Sequence, residues 1–246
     1  MNSTNKYEKS LLVDILPQFL VLEPDVMHGY WIKNQLQSLE AAIHLFPHSK
    51  MPKESLFDNY WHLIILDAHW SDRNGLEMCR HLRQQFVSVP IIFTASENEM
   101  MDGLLSLEFG ADEYLSKPIK PMELIARTKA LLRRRNNTNC MNVDSAEAVT
   151  YKGFSLNRIN RELILNGVAV RLTAREFDLI WLLANHPNKV FSRSELLNKV
   201  WGYNYSGYEQ TVNSHVNRLR NKLKVGRPHS NLLETVWGIG YRFRVV

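Results

Sequence analysis

Short apolar runs alternate with amphipathic segments along the first half of the chain. Four runs have the composition of buried strands, at residues 19–22, 63–66, 91–93 and 113–115. Two segments with leucines at helical spacing, residues 75–85 and 122–134, follow the second and the fourth of these runs. Strands that alternate with helices in this way predict a doubly wound α/β fold, a parallel sheet with helices on both faces.

Ionisable side chains stand where these predicted strands end. Glu23 and Asp67 each follow a strand directly, and Lys117 lies two residues beyond the last one. In an open parallel sheet, ligands bind at the carboxyl ends of the strands. The sequence therefore predicts a crevice at this edge, lined by Glu23-Pro24-Asp25, Asp67, Thr94-Ala95 and Lys117.

The second half of the chain has a different pattern. Residues 162–170 form two apolar runs around Asn166-Gly167, a dipeptide that favours a tight hairpin turn. Two capping boxes, Thr173 to Glu176 and Ser192 to Glu195, predict helix starts, and a third helix is predicted at about residues 209–224. Residues 235–243 form two strand-like runs around a Gly-rich turn. This order predicts an α+β winged-helix unit.

The two halves are joined by a polar, Asn-rich stretch that would bury little apolar area. The predicted organisation is an N-terminal extension at 1–17, the doubly wound unit at 18–135, a linker at 136–150 and the winged-helix unit at 151–246.

Charge is distributed unevenly between the halves. Residues 1–136 hold 15 basic and 17 acidic side chains, whereas residues 137–246 hold 15 basic and 8 acidic ones. A net charge of +7 in the second half is typical of a nucleic-acid-binding module, and the alternative is an ordinary solvated basic face.

The third predicted helix in this half has an apolar stripe on one side, with amide and basic side chains on the other. Arginine pairs well with guanine, and Asn or Gln with adenine. The helix residues and those of the adjoining hairpin that we expect to contact DNA are Gln210, Thr211, Ser214, His215, Asn217, Arg218, Arg220, Trp237, Arg242 and Arg244. For His215, a half-buried structural role is the alternative.

Composition narrows the remaining classes. Of the 246 residues, 45% are hydrophobic and 22% charged, which is typical of globular proteins. No apolar run approaches the ~20 residues that cross a bilayer, and residues 1–20 do not resemble a signal peptide, so we expect a cytoplasmic protein without membrane contact. The two cysteines, Cys79 and Cys140, have no metal-ligand spacing.

The second half closely resembles the effector domain of the OmpR/PhoB family. The similarity is carried by residues 172–177, 190–197, 200–202, 211–220 and 235–243. It implies a recognition helix in the major groove of double-stranded DNA and a wing near the minor groove. RNA polymerase is a further partner implied by the resemblance. The family often has a basic residue where this chain has Gln210, so its base preference does not transfer.

The first half resembles the CheY-like receiver domain over residues 19–135. The matching residues are Leu66-Asp67 with Gly75, the segment 110–118, and Glu123-Leu124. The resemblance implies that Asp67 accepts a phosphoryl group from a sensor histidine kinase, that Lys117 pairs with the phosphoryl oxygens, and that Mg²⁺ offsets the negative charge.

Two positions depart from the receiver pattern. Pro24 stands where a second acid normally binds Mg²⁺, and Ala95 stands where a Ser or Thr hydroxyl is expected. Thr94 and Ser96 flank Ala95, and the alternative is a local shift that restores a hydroxyl at this position. With only Glu23 and Asp67 as ligands, we expect weak Mg²⁺ binding at best and no other cofactor. The chain is thus predicted to be an atypical response regulator that depends little on phosphorylation. The alternative is a conventional regulator with Asp67 as the phosphoacceptor.

The receiver resemblance also implies a homodimer, which would match tandem half-sites on DNA. Family receivers dimerise through ion pairs around the residues that match Glu108, Glu113, Tyr114, Glu123, Arg127, Lys129 and Arg134. Phe109 stands where an acid is usual, which would make the contact more apolar.

Two rival functions belong to other classes. In an enzyme, Asp67 would be a phosphoaspartyl nucleophile, which needs a second acid–base group such as His69 or Asp72. Turnover of a phosphate ester by the first half would identify such an enzyme, and we expect none. An adaptor that has lost DNA binding is disfavoured by the retained arginines of the second half. The predicted function is a sequence-specific DNA-binding transcriptional regulator.

Overall fold

A computed structural model describes residues 16–47, 60–70, 75–136, 147–202, 209–224 and 232–245. The chain divides into two compact units, Met1–Arg133 and Arg134–Val246, and each is described by itself. Nearly all of the predicted N-terminal extension and most of the predicted linker lie outside the described residues. Within the described part, no helix has both the length and the apolar character needed to span a membrane.

The first unit is a five-stranded parallel sheet in the order β2-β1-β3-β4-β5. Its strands are β1 (Gln18–Leu22), β2 (Ala42–Phe46), β3 (Leu63–Asp67), β4 (Ile91–Ser96) and β5 (Glu113–Lys117). Its helices are α1 (Val26–Leu36), α2 (Gly75–Gln85), α3 (Met100–Phe109) and α4 (Pro121–Asn136), with short 3-10 turns at Gln37–Leu39 and Glu97–Glu99. The doubly wound α/β prediction is confirmed.

Alternate residues of each strand face opposite sides of this sheet, and both sides are buried. Phe19 and Val21 of β1 pack in the cluster that contains Ile32 of α1 and Leu124 of α4. Their neighbours Leu20 and Leu22 pack in the opposite cluster, which contains side chains from α2 and α3. The site predicted at the carboxyl edge of this sheet is therefore framed by four helices.

Three elements of this unit were not predicted from the sequence. In α1, a helix that is not strongly amphipathic is started by Asp25, whose carboxylate accepts the backbone N–H groups of Met27 and His28. Strand β2 is a half-buried edge strand with a histidine at its centre. Helix α3 contains Gly103, at which any Cβ would collide with the ring of Tyr114. In each case tertiary contacts outweigh a weak local pattern.

The second unit opens with a four-stranded antiparallel sheet and closes with a three-stranded one. The first sheet holds β6 (Ala148–Tyr151), β7 (Phe154–Asn157), β8 (Glu162–Leu165) and β9 (Val168–Val170). Then come α5 (Ala174–Ala184), β10 (Phe191–Ser192), α6 (Arg193–Trp201), α7 (Gln210–Leu223), β11 (Leu233–Val236) and β12 (Gly240–Phe243). The winged-helix prediction is confirmed, although β6, β7 and β10 were not predicted.

Local signals in the second unit behave as expected. Asn166 and Gly167 both have positive φ angles, of 49° and 81°, in the turn between β8 and β9. Both predicted capping boxes form, at the first turns of α5 and α6. The three helices then pack their apolar sides into one core.

The wing is the hairpin of β11 and β12, and it is joined to β10 by a close backbone approach. Gly240 pairs with Ser192 in this sheet, and a Cβ at Gly240 would collide with the carbonyl oxygen of Phe191. A glycine is required here for space alone, because its φ angle does not lie in the left-handed region.

Replacement of Gly240 by alanine should therefore destabilise the second unit by about 1–3 kcal/mol, because the wing strand must move away from β10. Urea denaturation of the full chain, followed by circular dichroism, measures this loss. The control is Val168→Ala on an exposed strand, which we expect to cost under about 0.5 kcal/mol. Equal stability of the two variants would contradict the close approach.

Candidate acidic pocket and nucleic-acid interface

The three residues predicted to form a pocket do meet at the carboxyl edge of the first sheet. Glu23 and Asp67 are almost fully buried. The Nζ atom of Lys117 lies 2.9 Å from Oε2 of Glu23 and 2.7 Å from Oδ2 of Asp67. Burial alone lowers the pKa of Lys117, but hydrogen bonds to the two carboxylates outweigh it and hold that pKa above its usual value. One ammonium group therefore joins two carboxylates.

Other groups also contact these two carboxylates. Nδ1 of His28 lies 2.7 Å from Oε2 of Glu23, and the imidazole stacks on the Trp31 ring. Burial raises the pKa of Glu23, but the contacts with His28 and Lys117 outweigh it, so the pKa lies below its usual value. His28 was not identified from the sequence, because its role depends on the first turn of α1.

Asp67 has two further partners. Its Oδ1 atom accepts the backbone N–H of His69 at 2.8 Å, and its Oδ2 atom accepts the Thr94 hydroxyl at 3.2 Å. Thr94 is the register partner of Asp67 on β4, so the two side chains project from the same face of the sheet. The expected hydroxyl position, Ala95, is buried among apolar residues. The register in which β3 and β4 pair identifies Thr94 as the neighbour of Asp67. The sequence of a single strand does not reveal that register.

The receiver resemblance implies Mg²⁺, and the residues present do not fit this ion. Pro24 offers no side-chain ligand, and Asp25 turns away to start α1, as its place beside the strand end predicts. Both remaining carboxylates contact the Lys117 ammonium. Among the residues that the structure describes, no group of three or more His, Cys, Asp or Glu side chains could hold a metal ion. The described residues of the pocket therefore do not form a Mg²⁺ site.

The rival enzyme needs an acid–base group directed at Asp67. The ring of His69 instead pairs with Glu99, with Nε2 lying 2.5 Å from Oε1. Asp72 lies outside the described residues. Among the described residues, His69 is therefore paired with Glu99 rather than with Asp67.

In the second unit, helix α7 presents fewer residues to solvent than predicted. Gln210, Asn217, Asn221 and Lys224 are exposed. Thr211, Ser214 and His215 are buried, so they lie off the exposed face of the helix, and their contact with DNA stays a prediction. These three residues lie beside the apolar stripe on the helix surface. The buried side of the helix is therefore wider than the apolar stripe alone indicates.

The histidine of this helix has a structural role. The His215 ring is fully buried, packs edge-on against Trp201 at 5.0 Å, and has Nδ1 2.8 Å from the carbonyl oxygen of Thr211. These contacts favour the alternative of a structural role for His215. The ring is fully buried, whereas that alternative expected it to be half-buried.

Arg218 was also predicted to read DNA, and the structure places it inside the unit. Its side chain is only 11% exposed, with Nε 3.2 Å from Oε1 of Glu176. Lys222 contacts the other carboxylate oxygen at 2.7 Å. Burial raises the pKa of Glu176, but Arg218 and Lys222 outweigh it and hold the pKa at about 2. A buried carboxylate thus ties α7 to the first turn of α5, and the contact of Arg218 with DNA stays a prediction.

Arg220, another of the predicted DNA contacts, joins the helix to the wing. Its guanidinium donates to the carbonyl oxygen of Leu233 and, at 2.7 Å, to the Thr235 hydroxyl. Arg193 and Arg220 both lie over the Tyr241 ring, at 5.4 and 5.5 Å from its centroid. The Tyr241 hydroxyl donates to Asn213 of α7 at 2.8 Å. These contacts form a helix–wing clamp, which we define as Arg193, Asn213, Arg220 and Tyr241.

The wing retains the other predicted residues at its surface. Trp237 at its turn is 90% exposed, and Arg244 is exposed just beyond β12. Arg242 is half-buried and pairs with Glu234 at 2.8 Å. With the exposed side chains of α7, Trp237 and Arg244 form the surface that remains open to a nucleic acid.

Comparison with known proteins agrees with both units. Residues 19–129 match the family described as response regulator receiver domain, and residues 167–243 match transcriptional regulatory protein, C terminal. The chain is 41% identical over 184 residues to the uncharacterized transcriptional regulatory protein YclJ of Bacillus subtilis, which covers 74% of this chain and 79% of that one. The chain belongs to the OmpR/PhoB-type response regulators.

Other relatives of this response regulator extend the comparison. The transcriptional regulatory protein ResD of Bacillus subtilis is 37% identical over 186 residues, covering 74% of this chain and 78% of ResD. A solved structure of a RitR mutant covers 94% of this chain and all of that one, with a TM-score of 0.70 and 23% identity. At that identity the RitR likeness shows the fold alone.

The predicted dimer face of the response regulator is partly buried. Nη1 of Arg127 lies 2.9 Å from the fully buried Glu113, and its Nη2 lies 2.5 Å from Glu123. Tyr114 packs inward against Gly103. Glu113, Tyr114 and Arg127 therefore hold β5, α3 and α4 together, and their part in a dimer face stays a prediction. Glu108 and Lys129 are exposed and Glu123 is half-buried, while the side chain of Arg134 lies outside the described residues.

The Glu176 cluster leads to a pH prediction. Because the folded pKa of about 2 lies below the unfolded value of 4.5, Glu176 stabilises the fold above pH 4.5 and loses that effect as the pH falls toward 2. Glu176→Gln should lower the free energy of unfolding at pH 7 by up to about 3 kcal/mol.

Urea denaturation of both proteins at pH 7, 4.5 and 3 measures this difference, which should narrow at the acid end. Glu195→Gln is the matched control, because Glu195 occupies the same capping-box position on α6 but is exposed. A gap between wild type and Glu176→Gln that does not change with pH would contradict the assigned ion pairs.

Proposed function

We propose that this response regulator is a sequence-specific DNA-binding transcription factor whose activity depends little on phosphorylation of Asp67. The observation that carries the proposal is the Lys117 ammonium group, which lies within 3 Å of both pocket carboxylates. DNA-binding output is a property of the family, and independence from phosphorylation is the step beyond it.

The electrostatics of the pocket support this independence. A phosphoryl group carries negative charge, so its approach to Asp67 must be offset by cations. Here the ammonium of Lys117 already offsets Glu23 and Asp67, and Pro24 removes the likeliest ligand for a second cation. Transfer would convert the Asp67 carboxylate into an acyl phosphate as the phosphorus–oxygen bond of the donor breaks. One lysine would then oppose the Glu23 carboxylate and a doubly charged phosphoryl group. We therefore infer that phosphorylation is slow and that the unmodified protein is the active form.

One observation favours the conventional alternative. The Thr94 hydroxyl lies on Asp67, so a hydroxyl donor for a phosphorylated aspartate is present although Ala95 has none. A receiver that used Thr94 in this way would respond to phosphorylation through a relocated hydroxyl. The experiment below separates the two functions.

Partners follow from the family and from the exposed residues. We propose that α7 and the wing bind double-stranded DNA, and that a homodimer forms through the exposed side of α3 and α4, where Glu108 and Lys129 lie beside the exposed Met101 and Leu105. This contact is more apolar than the predicted set of ion pairs. A sensor histidine kinase and RNA polymerase are the remaining proposed partners.

Phosphorylation of the full chain tests the proposal. Incubation with a small phosphodonor and Mg²⁺ should label only a minor fraction of Asp67 by mass spectrometry, and Asp67→Asn should leave the Kd for DNA nearly unchanged. Pro24→Asp is the informative variant, because it supplies the missing carboxylate and should increase labelling. A wild-type protein that is fully phosphorylated and changes from monomer to dimer in sedimentation would instead establish the conventional switch.

DNA binding is tested by selection of duplexes from a random pool, followed by titrations at two salt concentrations. Affinity should fall as salt rises, because phosphate contacts release counterions. Asn217→Ala should weaken base preference by about 1–3 kcal/mol at one position, whereas Arg244→Ala should weaken all sequences alike and reduce the salt slope by about 1.

Lys152→Ala is the control for this experiment, because it removes an exposed charge from the turn between β6 and β7, outside α7 and the wing. If the selection returned no enriched sequence, or if Lys152→Ala matched Arg244→Ala, the proposed interface would be wrong.

A further inference from the structure

The turn between β7 and β8 carries two arginines that lie against aromatic rings of helix α5. The guanidinium of Arg158 lies 5.6 Å from the centroid of the Trp181 ring, and that of Arg161 lies 4.5 Å from the centroid of the Phe177 ring. The two rings are nearly parallel, with their centroids 6.0 Å apart. We call Arg158, Trp181, Phe177 and Arg161 the arginine–aromatic stack. A cation–π attraction holds each arginine on the face of a ring.

The two arginines of the stack differ in what their N–H groups contact. The fold uses Arg161, whose Nη2 atom donates to the carbonyl oxygen of Ala174 and to Oδ1 of Asp178, both at 2.7 Å. Arg158 is exposed, and among the residues that the structure describes its guanidinium has no hydrogen-bond or ion-pair partner. The Trp181 ring therefore positions a planar fork of donors whose geometry matches a carboxylate.

Apolar side chains lie at the surface on both elements of the stack. Ile159, which follows Arg158 in the turn, is 49% exposed. Trp181 and Leu182 are half-buried on the outer side of α5. The N–H of Asn160 donates to Oδ1 of its neighbour Asn157 at 2.9 Å, which closes the turn. Arginine and tryptophan are the residue types that most often dominate binding energy at protein interfaces.

This surface lies on the side of α5 that is turned away from helix α7. Glu176 of α5 faces α7, where it pairs with Arg218 and Lys222. Since an α-helix has 3.6 residues per turn, Trp181 projects about 140° around the helix from Glu176. A duplex on the exposed face of α7 therefore does not cover the stack, and a protein can bind there at the same time.

We infer that the arginine–aromatic stack and Ile159 form a docking surface for an acidic segment of a partner protein. A carboxylate of that segment accepts two parallel hydrogen bonds from Arg158, and an adjacent apolar side chain packs against Ile159 and Trp181. The 15 basic and 8 acidic side chains of residues 137–246 attract such a segment from a distance. This inference goes beyond the DNA-binding function proposed above and does not depend on it.

Selection of short peptides from a random phage-displayed library, with the full chain as bait, tests this inference. Enriched peptides should carry Asp or Glu next to an apolar residue. A synthetic peptide of the enriched sequence should bind the wild type, and Arg158→Glu should weaken that binding about tenfold or more, because a charge-assisted hydrogen bond is replaced by repulsion. Arg158→Lys should recover only part of the affinity, since an ammonium group lacks the planar fork.

Lys152→Glu is the matched control, because it makes the same change of charge at an exposed residue in the turn between β6 and β7. This variant should bind the peptide nearly as well as the wild type. Trp181→Phe keeps an aromatic ring with a weaker cation–π attraction and should weaken binding about two- to fivefold. Thermal denaturation followed by circular dichroism checks that each variant is folded.

The inference is overturned if no enriched peptide depends on Arg158, if the dependent peptides are not acidic, or if Lys152→Glu weakens them as much as Arg158→Glu does. The duplex selected by the wild type should leave peptide binding unchanged, whereas displacement of the peptide by that duplex would assign the stack to DNA instead. Failure to select any duplex would overturn the proposed function alone, because the peptide measurements need no DNA.

Discussion

A carboxylate that leaves water must be paired with a positive charge, and this constraint shapes both units of the protein. In the first unit Glu23 and Asp67 share the ammonium of Lys117. In the second, Glu176 is paired with Arg218 and Lys222. An uncompensated buried charge costs several kcal/mol, so these cations are committed to the fold before any ligand arrives.

These internal ion pairs limit which charged side chains each site offers to a ligand. In the pocket, the ammonium of Lys117 already contacts both carboxylates, and the proposed independence from phosphorylation rests on this pairing. In helix α7, Arg218 and Arg220 bind Glu176 and the wing, whereas Gln210, Asn217, Asn221 and Lys224 are exposed. Both functional proposals thus depend on which positively charged side chains are already paired within the fold.

Long periodic elements and strong local signals were predictable because they depend on residues close in sequence. The capping boxes, the Asn-Gly turn and the buried strands belong to this group. Helix α1 was not predictable, because Asp25 caps it only once the chain turns after β1. Strand β2 was not predictable either, because an edge strand buries too few apolar side chains to give a clear pattern. Burial of His215 also depends on Trp201, which lies on another helix.

The sequence by itself determined the family, the two fold classes and the three residues of the pocket, because the ends of parallel strands converge whatever connects them. It also showed that a proline, Pro24, stands where the resemblance implies an acidic Mg²⁺ ligand. Only the tertiary structure decided that Thr94 supplies the hydroxyl at Asp67, that His28 holds Glu23, and that Arg218 faces inward. These depend on strand register and on charges brought together from distant positions, and a one-dimensional pattern of residue types does not encode such distances.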